Sequence, residues 1–168
     1  MMNKRVMSAM NTQINREFYA AYLYLAISAY YETLSLKGFA SWMREQAKEE
    51  QTHAMKLYDF VFSRGGTVTL LPIEQPEANF NSVLEAFEAA LDHEKKVTAW
   101  IHEIATIIEE EKDYASRTLI QWFVDEQIEE EETVSDICER LKMIGEHKPA
   151  LFMFDKELAT RQTEPVQE

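Results

Sequence analysis

Five segments of the chain repeat apolar side chains at intervals of three and four residues, the spacing that places them on one face of an α-helix. Gly65 and Gly66 follow the second segment and Gly145 follows the fourth, where glycine commonly terminates a helix. Asn81 and Ser82 are suitable N-caps for the third. The predicted helices span residues 4–34, 37–64, 81–111, 114–144 and 149–161.

The connections between these helices differ in length. Tight turns are expected near residues 35–38 and 112–113, but about 15 residues, including Pro72 and Pro76, separate the second helix from the third. Extended, that segment covers roughly 50 Å, and a thirty-residue helix is about 45 Å long. The pattern therefore predicts an all-α four-helix bundle with one long crossover between helices two and three, plus a short C-terminal fifth helix. We expect one domain over residues 1–161 and a polar tail over 162–168.

Each of the four long apolar stripes is interrupted by a carboxylate near its middle. In helix two, the face that carries Phe60 and Leu57 continues backward to His53 and Glu50. The interruptions in the other helices are Glu17, Glu94, Glu126 and Glu130. All lie about 12 to 16 residues from the start of their helices, roughly 18–24 Å along each rod. Because mid-height is the same for helices of either direction, these side chains are expected to meet in one layer.

Taken singly, these residues are weak signals. A Glu-x-x-His pair is common on solvated helix faces, the run Glu129–Glu132 is typical of a wet surface, and Tyr24 alone is typical of packing. Together, five carboxylates and one imidazole in a dry layer are costly without counter-ions, and no lysine or arginine lies on the stripes there. Bound cations would neutralise the layer, and oxygen ligands with one imidazole suit iron, manganese or zinc.

The net charge of −13 disfavours nucleic acid and anionic membranes as partners and favours cations, although acidity can also serve solubility alone. Cys138 is the single cysteine, so no intramolecular disulfide can form, and its apolar setting predicts burial. The sequence shows neither a signal-peptide pattern nor an apolar run of membrane-spanning length. We therefore expect a cytoplasmic protein.

The whole set of motifs resembles the ferritin family, specifically its non-haem bacterial type. The resemblance rests on Glu17 with Tyr24, the Glu49-Glu50-x-x-His53 helix, the long crossover, Glu94, Glu126-Gln127-x-x-Glu130 and the short fifth helix.

The resemblance implies specific roles for these residues. Glu17, Glu50 and His53 would hold a first iron, and Glu50, Glu94 and Glu130 a second, with Glu50 bridging. A third iron site would use Glu49, Glu126, Glu129 and Glu130. Tyr24 and Gln127 would support the centre from behind, with Tyr24 an electron donor. A hollow shell of 24 subunits is also implied, with the fifth helix lining its four-fold axes.

Two departures distinguish the chain from bacterioferritins. Helix four has Glu130 and no histidine where those relatives carry a second Glu-x-x-His. Gln51 stands where they carry a haem-binding methionine. Haem is therefore not expected. A single histidine favours a centre that passes iron on over one that keeps it permanently.

The predicted function is iron storage with ferroxidase activity, in which Fe(II) is oxidised by O2 or hydrogen peroxide and Fe(III) is deposited as mineral. The main alternative is a di-iron oxidoreductase, a peroxidase or oxygenase, on the same bundle. A twelve-subunit mini-ferritin and a purely structural bundle are further alternatives. His93 and His102 are expected at the surface, His147 in the turn before the fifth helix, and none of the three as a ligand.

Overall fold

The computed structural model describes residues 2–161, so the predicted tail over 162–168 lies outside the described residues. Five α-helices and one short 3-10 helix are present, and the described part of the chain contains no strand. The helices are α1 (Lys4–Thr33), α2 (Lys37–Ser63), α3 (Val83–Glu110), α4 (Arg117–Ile144) and α5 (Lys148–Leu158), with the 3-10 helix at Tyr114–Ser116 before α4. The predicted fold is confirmed, with helix ends within a few residues of those expected.

Local capping explains where α1 and α3 begin. The side chain of Asn3 accepts hydrogen bonds from the backbone N–H groups of Arg5 and Val6, and Ser82 accepts one from Glu85. These oxygens satisfy amide groups that have no partner inside the first turn. At the other end, Gly145 stops α4 in a positive-φ conformation (54°) that glycine adopts without strain.

The start of α2 is capped from a distant part of the chain. Leu36 occupies the N-cap position and contributes no side-chain hydrogen bond. Instead, Asp155 Oδ1 of α5 accepts from the N–H groups of Gly38 (2.8 Å) and Phe39 (3.0 Å). The carboxylate also complements the positive end of the α2 dipole, so α5 and the start of α2 stabilise each other.

The crossover runs back along α1. Asn11 of α1 fastens it on both sides of one peptide segment: its Nδ2 donates to the carbonyl of Thr67 (3.0 Å), and its Oδ1 accepts from the N–H of Thr69 (2.7 Å). Asn15 donates to the carbonyl of Pro72 (3.4 Å). These bonds fix the crossover against the bundle, where Val68 also packs against the core and Pro76 is buried, while most of the segment is exposed.

The core consists of two apolar clusters, one at each end of the bundle. The cluster near α5 is rich in aromatic rings, including Tyr31, Phe39 and Phe87. The other is mainly aliphatic, with residues such as Ile14, Leu57 and Ile101. Between them lies a layer of buried polar side chains: Gln13, Glu17, Gln46, Glu50, His53, Glu94, Gln127 and Glu130. No helix in residues 2–161 combines the length and apolar character needed to cross a membrane.

Candidate metal centre

Five of the predicted ligands converge at the middle of the bundle, one or two from each long helix. Glu17 comes from α1, Glu50 and His53 from α2, Glu94 from α3 and Glu130 from α4. Their exposed fractions lie between 1% and 6%, so all five are buried. The common height predicted from their depth along the helices is therefore the height at which they meet.

The ligand atoms fall into overlapping groups in which every atom lies within 4.8 Å of the others. One group contains Glu17, Glu50 and His53, and a second contains Glu50, Glu94 and Glu130. Glu50 belongs to both, which is the arrangement a bridging carboxylate requires. A third group contains His53, Glu126 and Glu130.

His53 presents one ring nitrogen to each side. Its Nδ1 lies 3.4 Å from a Glu50 oxygen, and its Nε2 lies 3.7 Å from a Glu126 oxygen. The ring packs edge-on against Trp122, with centroids 5.4 Å apart. Burial opposes protonation, but contacts with Glu126 and Glu50 outweigh it and raise the His53 pKa well above its usual value. Hydrogen bonding to one nitrogen while the other binds metal is how ligating histidines are commonly oriented.

Amide side chains hold the carboxylates of α1, α2 and α4. Gln13 Nε2 donates to Glu17 (2.8 Å). Gln46 Nε2 donates to Glu130 (2.6 Å) and to Glu50 (3.2 Å), so it links the two metal groups. The Gln46 carbonyl oxygen is buried without a hydrogen-bond partner among the described residues.

Glu94 is held by the two residues that the sequence analysis placed behind the centre. Tyr24 donates its hydroxyl proton to one Glu94 oxygen, and Gln127 Nε2 donates to the other (3.2 Å). Gln127 also contacts Thr98, whose hydroxyl donates to Glu131 at 2.5 Å. This hydrogen-bonded chain connects the buried centre to the outer face of α3 and α4.

The electrostatics of the layer favour the binding of additional positive charge. Burial, followed by repulsion from Glu50, raises the Glu17 pKa well above its usual value and raises the Glu94 pKa to about 8. Burial and repulsion from Glu94 likewise raise the Glu130 pKa. Burial also opposes ionisation of Glu50, but hydrogen bonding and proximity to His53 lower its pKa. Among the described residues, no lysine or arginine forms an ion pair with these four carboxylates.

The donor set therefore fits cations. Hard oxygen donors with one imidazole, overlapping through a shared carboxylate, match two divalent or trivalent first-row ions. Binding them would let the acids ionise together in a buried site, which the protein alone disfavours.

The other three predicted ligands lie outside these two groups. Glu126 is half-buried beside His53 Nε2. Glu49 is half-buried, and its Oε2 accepts a hydrogen bond from Arg161 at 2.6 Å. Glu129 is exposed, and neither it nor Glu49 joins any of the three groups. The four-carboxylate third site stays a prediction.

The structure shows two further buried residues that were not predicted: His93 in α3 and Gln46 in α2. The prediction that His93 lies at the surface is wrong. Its side chain is 5% exposed, and its ring lies between Tyr19 (5.4 Å) and Trp100 (6.1 Å). A helix with neighbours on two sides buries an arc wider than one stripe. Gln46 was not predicted as a site residue, although it lies one helical turn before Glu50 on the same face of α2.

The remaining expectations concern single side chains. His102 is exposed and Cys138 is buried, both as predicted. His147 precedes α5 and caps it, its Nδ1 accepting from the N–H of Ala150 at 3.1 Å. None of the three belongs to a metal-binding group among the described residues.

Comparison with known proteins agrees with this geometry. The family model for the ferritin-like domain matches residues 7–144. A bacterial non-heme ferritin from Staphylococcus saprophyticus is 39% identical over 161 residues, 96% of each chain. One from Staphylococcus aureus is 37% identical over the same length, covering 96% of this chain and 97% of the relative.

Solved structures give the same result. A humanized archaeal ferritin superimposes with a TM-score of 0.97 at 47% identity, covering 98% of this chain and all of that one. The open-pore ferritin of the archaeon Archaeoglobus fulgidus gives a TM-score of 0.95 at 48% identity, covering 96% of this chain and 99% of that one. These comparisons confirm, over nearly the full chain, the resemblance that the spacing of the carboxylates indicates. The chain belongs to the ferritin family.

Proposed function

We propose that the chain stores iron and oxidises it at the buried centre, with Fe(II) as the substrate. Family membership supports iron storage, and the two overlapping ligand groups support oxidation at a pair of sites. Glu17 and His53 would bind one Fe(II), Glu94 and Glu130 the other, and Glu50 both.

The proposed reaction removes one electron from each of two Fe(II) ions. With O2 as oxidant, the two electrons and two protons give hydrogen peroxide; with hydrogen peroxide, they give two water molecules. The carboxylates favour the reaction because their negative charge stabilises Fe(III) more than Fe(II). Pairing the sites places both electron donors beside one oxidant molecule, which is the positioning contribution of the protein.

The hydrogen-bonded side chains have separate tasks in this scheme. Gln13 and Gln46 orient carboxylates on the α1–α2 side, and Gln127 does so for Glu94. Tyr24 touches Glu94 and is close enough to supply an electron when the oxidant needs more than the iron pair provides. Burial of the whole set keeps bulk water from competing for the ligands.

The product Fe(III) is proposed to leave the centre and accumulate as mineral inside a closed shell, of 24 subunits by the resemblance. A single imidazole makes the first site less retentive than one with two, which suits a substrate site. The acidic surface would attract further cations. A cytoplasmic setting is proposed with this function.

The observation that carries the proposal is the convergence of four buried carboxylates and His53, with no lysine or arginine of residues 2–161 paired to these acids. The test is aerobic addition of Fe(II) to the metal-free protein, following ferric absorbance and particle mass. Glu130→Ala is expected to slow the initial rate strongly, whereas Glu132→Ala, on the exposed face of α4, leaves it unchanged. Equal rates for parent and Glu130→Ala would contradict the second site.

A further inference from the structure

Arg161 lies just beyond α5 and reaches back to α2. Its Nη2 donates to Glu49 Oε2 at 2.6 Å, and its guanidinium stacks over the Trp42 ring at 4.1 Å from the centroid. Arg161 and Glu49 are each about one-fifth exposed, 20% and 19%. The planar guanidinium suits both contacts at once, which an ammonium does not.

The position of Arg161 is fixed by the docking of α5. Asp155 caps α2, and the α5 backbone passes so close to Gly38 that a Cβ there would lie 1.6 Å from the Asp155 carbonyl oxygen. On the other side of α5, Arg140 makes a two-pronged ion pair with Glu157 (2.8 and 2.7 Å). Arg161 therefore approaches Glu49 from a rigid support.

Glu49 is the half-buried carboxylate beside the centre that already has a protein cation, Arg161. Burial raises its pKa, and the Arg161 charge acts in the opposite direction. Glu49 is also the only hydrogen-bond acceptor of the Arg161 guanidinium within residues 2–161, since Nη1 is buried without a partner there. The two side chains thus depend on each other.

A metal ion bound to Glu49 would have to compete with this guanidinium for the same oxygen and would be repelled by its charge. The other side chains of the predicted third site offer little to offset that competition. Glu126 faces His53 Nε2 at 3.7 Å, and Glu129 is exposed. Glu130 belongs to the second metal group and, with His53 and Glu126, to the third, and neither group includes Glu49.

We propose that Arg161 takes the place of a metal ion at Glu49 and blocks the predicted four-carboxylate site, so that the buried centre binds two metal ions, with the docked α5 helix holding Arg161 in this blocking position. This rests on the proposed function, because it concerns a neighbour of the same centre. Two kinds of counter-ion then share the site: the Arg161 guanidinium neutralises Glu49, and metal ions neutralise the more deeply buried carboxylates.

The test measures metal stoichiometry instead of activity, using Zn(II), which is redox-inert and accepts the same ligands. Anaerobic calorimetric titration of the metal-free protein is expected to show about two tight sites per subunit. Arg161→Gln and Arg161→Met should each gain about one more. Arg117→Gln, which breaks an exposed arginine contact with Glu109 that does not involve α5, should keep the parent value, and the double variant Glu49→Gln/Arg161→Gln should lose the gain.

The outcomes separate this inference from the function beneath it. A parent that binds no tight Zn(II) overturns the metal centre itself. A parent that already binds about three, or Arg161 variants that stay at about two, overturns the block while leaving the centre intact. Anomalous scattering from Zn(II)-soaked Arg161→Met crystals should place the added ion against Glu49, and density elsewhere contradicts the proposal. Circular dichroism and particle mass establish that each variant is folded and assembled.

Discussion

Glu49 and Glu50 are adjacent on α2, yet they occupy opposite electrostatic situations. Glu50 points into the bundle, is 2% exposed and is surrounded by Glu17, His53 and an amide. Glu49 points about 100° away, stays half-buried and pairs with Arg161. One carboxylate has a protein cation beside it, and the other has only a histidine.

The difference shows how neighbouring acids on one helix can take different chemical roles. A buried carboxylate requires compensation, and the kind of compensation decides what it can bind. With its own guanidinium, Glu49 is complete without metal. Glu50 shares one histidine with a layer of acids, so bound metal cations would have to supply the remaining positive charge.

The largest effect is expected from replacing Glu50, the acid that depends on metal ions for compensation. Glu50→Gln removes the only carboxylate shared by both groups, so both iron sites lose a ligand at once. Initial Fe(II) oxidation should fall by about 100-fold or more, at or above the loss usual for outer-shell partners. Stopped-flow absorbance measures it, with Glu132→Gln as the exposed control. A rate within a factor of two of the parent would show that Glu50 does not bridge.

The next effect concerns the support of Arg161. Gly38→Ala places a methyl group against the Asp155 carbonyl, so α5 must shift and its cap on α2 weakens. The free energy of unfolding should fall by about 1–3 kcal/mol, as for other overpacked sites. Chemical denaturation measures it against Ser41→Ala on the same helix.

Gly38→Ala also tests whether the docking of α5 keeps metal ions away from Glu49. If α5 carries the block, Gly38→Ala should gain Zn(II) binding at Glu49 as the Arg161 variants do, with the deeper sites unchanged. Destabilisation without added metal would mean that Arg161 holds Glu49 independently of the helix.

A smaller effect is expected from Tyr24→Phe. The change removes the hydroxyl that donates to Glu94 but keeps the ring that packs in the core. Fe(II) oxidation should slow by about tenfold, the lower end of the range for groups that orient a ligand. Anaerobic Zn(II) stoichiometry should stay the same, which separates orientation from ligation. Loss of a tight Zn(II) site would instead make Tyr24 necessary for binding.

The smallest effect is a pH dependence of the metal-free protein. Glu17, Glu94 and Glu130 have folded-state pKa values above those of the unfolded chain, for Glu94 about 8. The raised His53 pKa acts in the same direction, and the lowered Glu50 pKa opposes them. The folded state therefore binds more protons, so stability is greatest at acidic pH and is lost as the pH rises towards 8.

The melting temperature of the metal-free protein should accordingly fall by a few degrees, about 2–4 °C per kcal/mol, between about pH 5 and pH 8. Saturating Zn(II) should abolish the decline, because the cation replaces the protons. Glu94→Gln should flatten the metal-free curve. A melting temperature that rises over this interval would contradict the assigned directions.

Much of the fold and the inner layer could be predicted because both follow from periodicity. Apolar spacing located the helices, chain length between them gave the crossover, and depth along each helix placed Glu17, Glu50, Glu94 and Glu130 at one height. These properties depend on residues close in sequence or on simple lengths. The three-four rule on α2 even aligned Gln46 with Glu50.

The remainder depends on contacts between segments far apart in sequence. The Asp155 cap on α2 and the Arg161 pair with Glu49 join residues more than 100 positions apart, and no local pattern encodes their distance. The burial of His93 was not predicted because a single apolar stripe was taken as the whole buried face of α3. Tyr19 from α1 packs against the His93 ring and widens that face. Long-range side-chain pairs therefore cannot be predicted from helical periodicity alone.

The crossover has a consequence for the integrity of the centre. It is mostly exposed and is fastened to α1 through Asn11 and Asn15, while the predicted ligands come from the two helical hairpins. A single proteolytic cut between Thr69 and Pro72 would leave both hairpins whole and their buried faces in contact. Two polypeptides, held together by packing and by hydrogen bonds such as Tyr24–Glu94 and Gln46–Glu130, would then still assemble the same buried set of ligands.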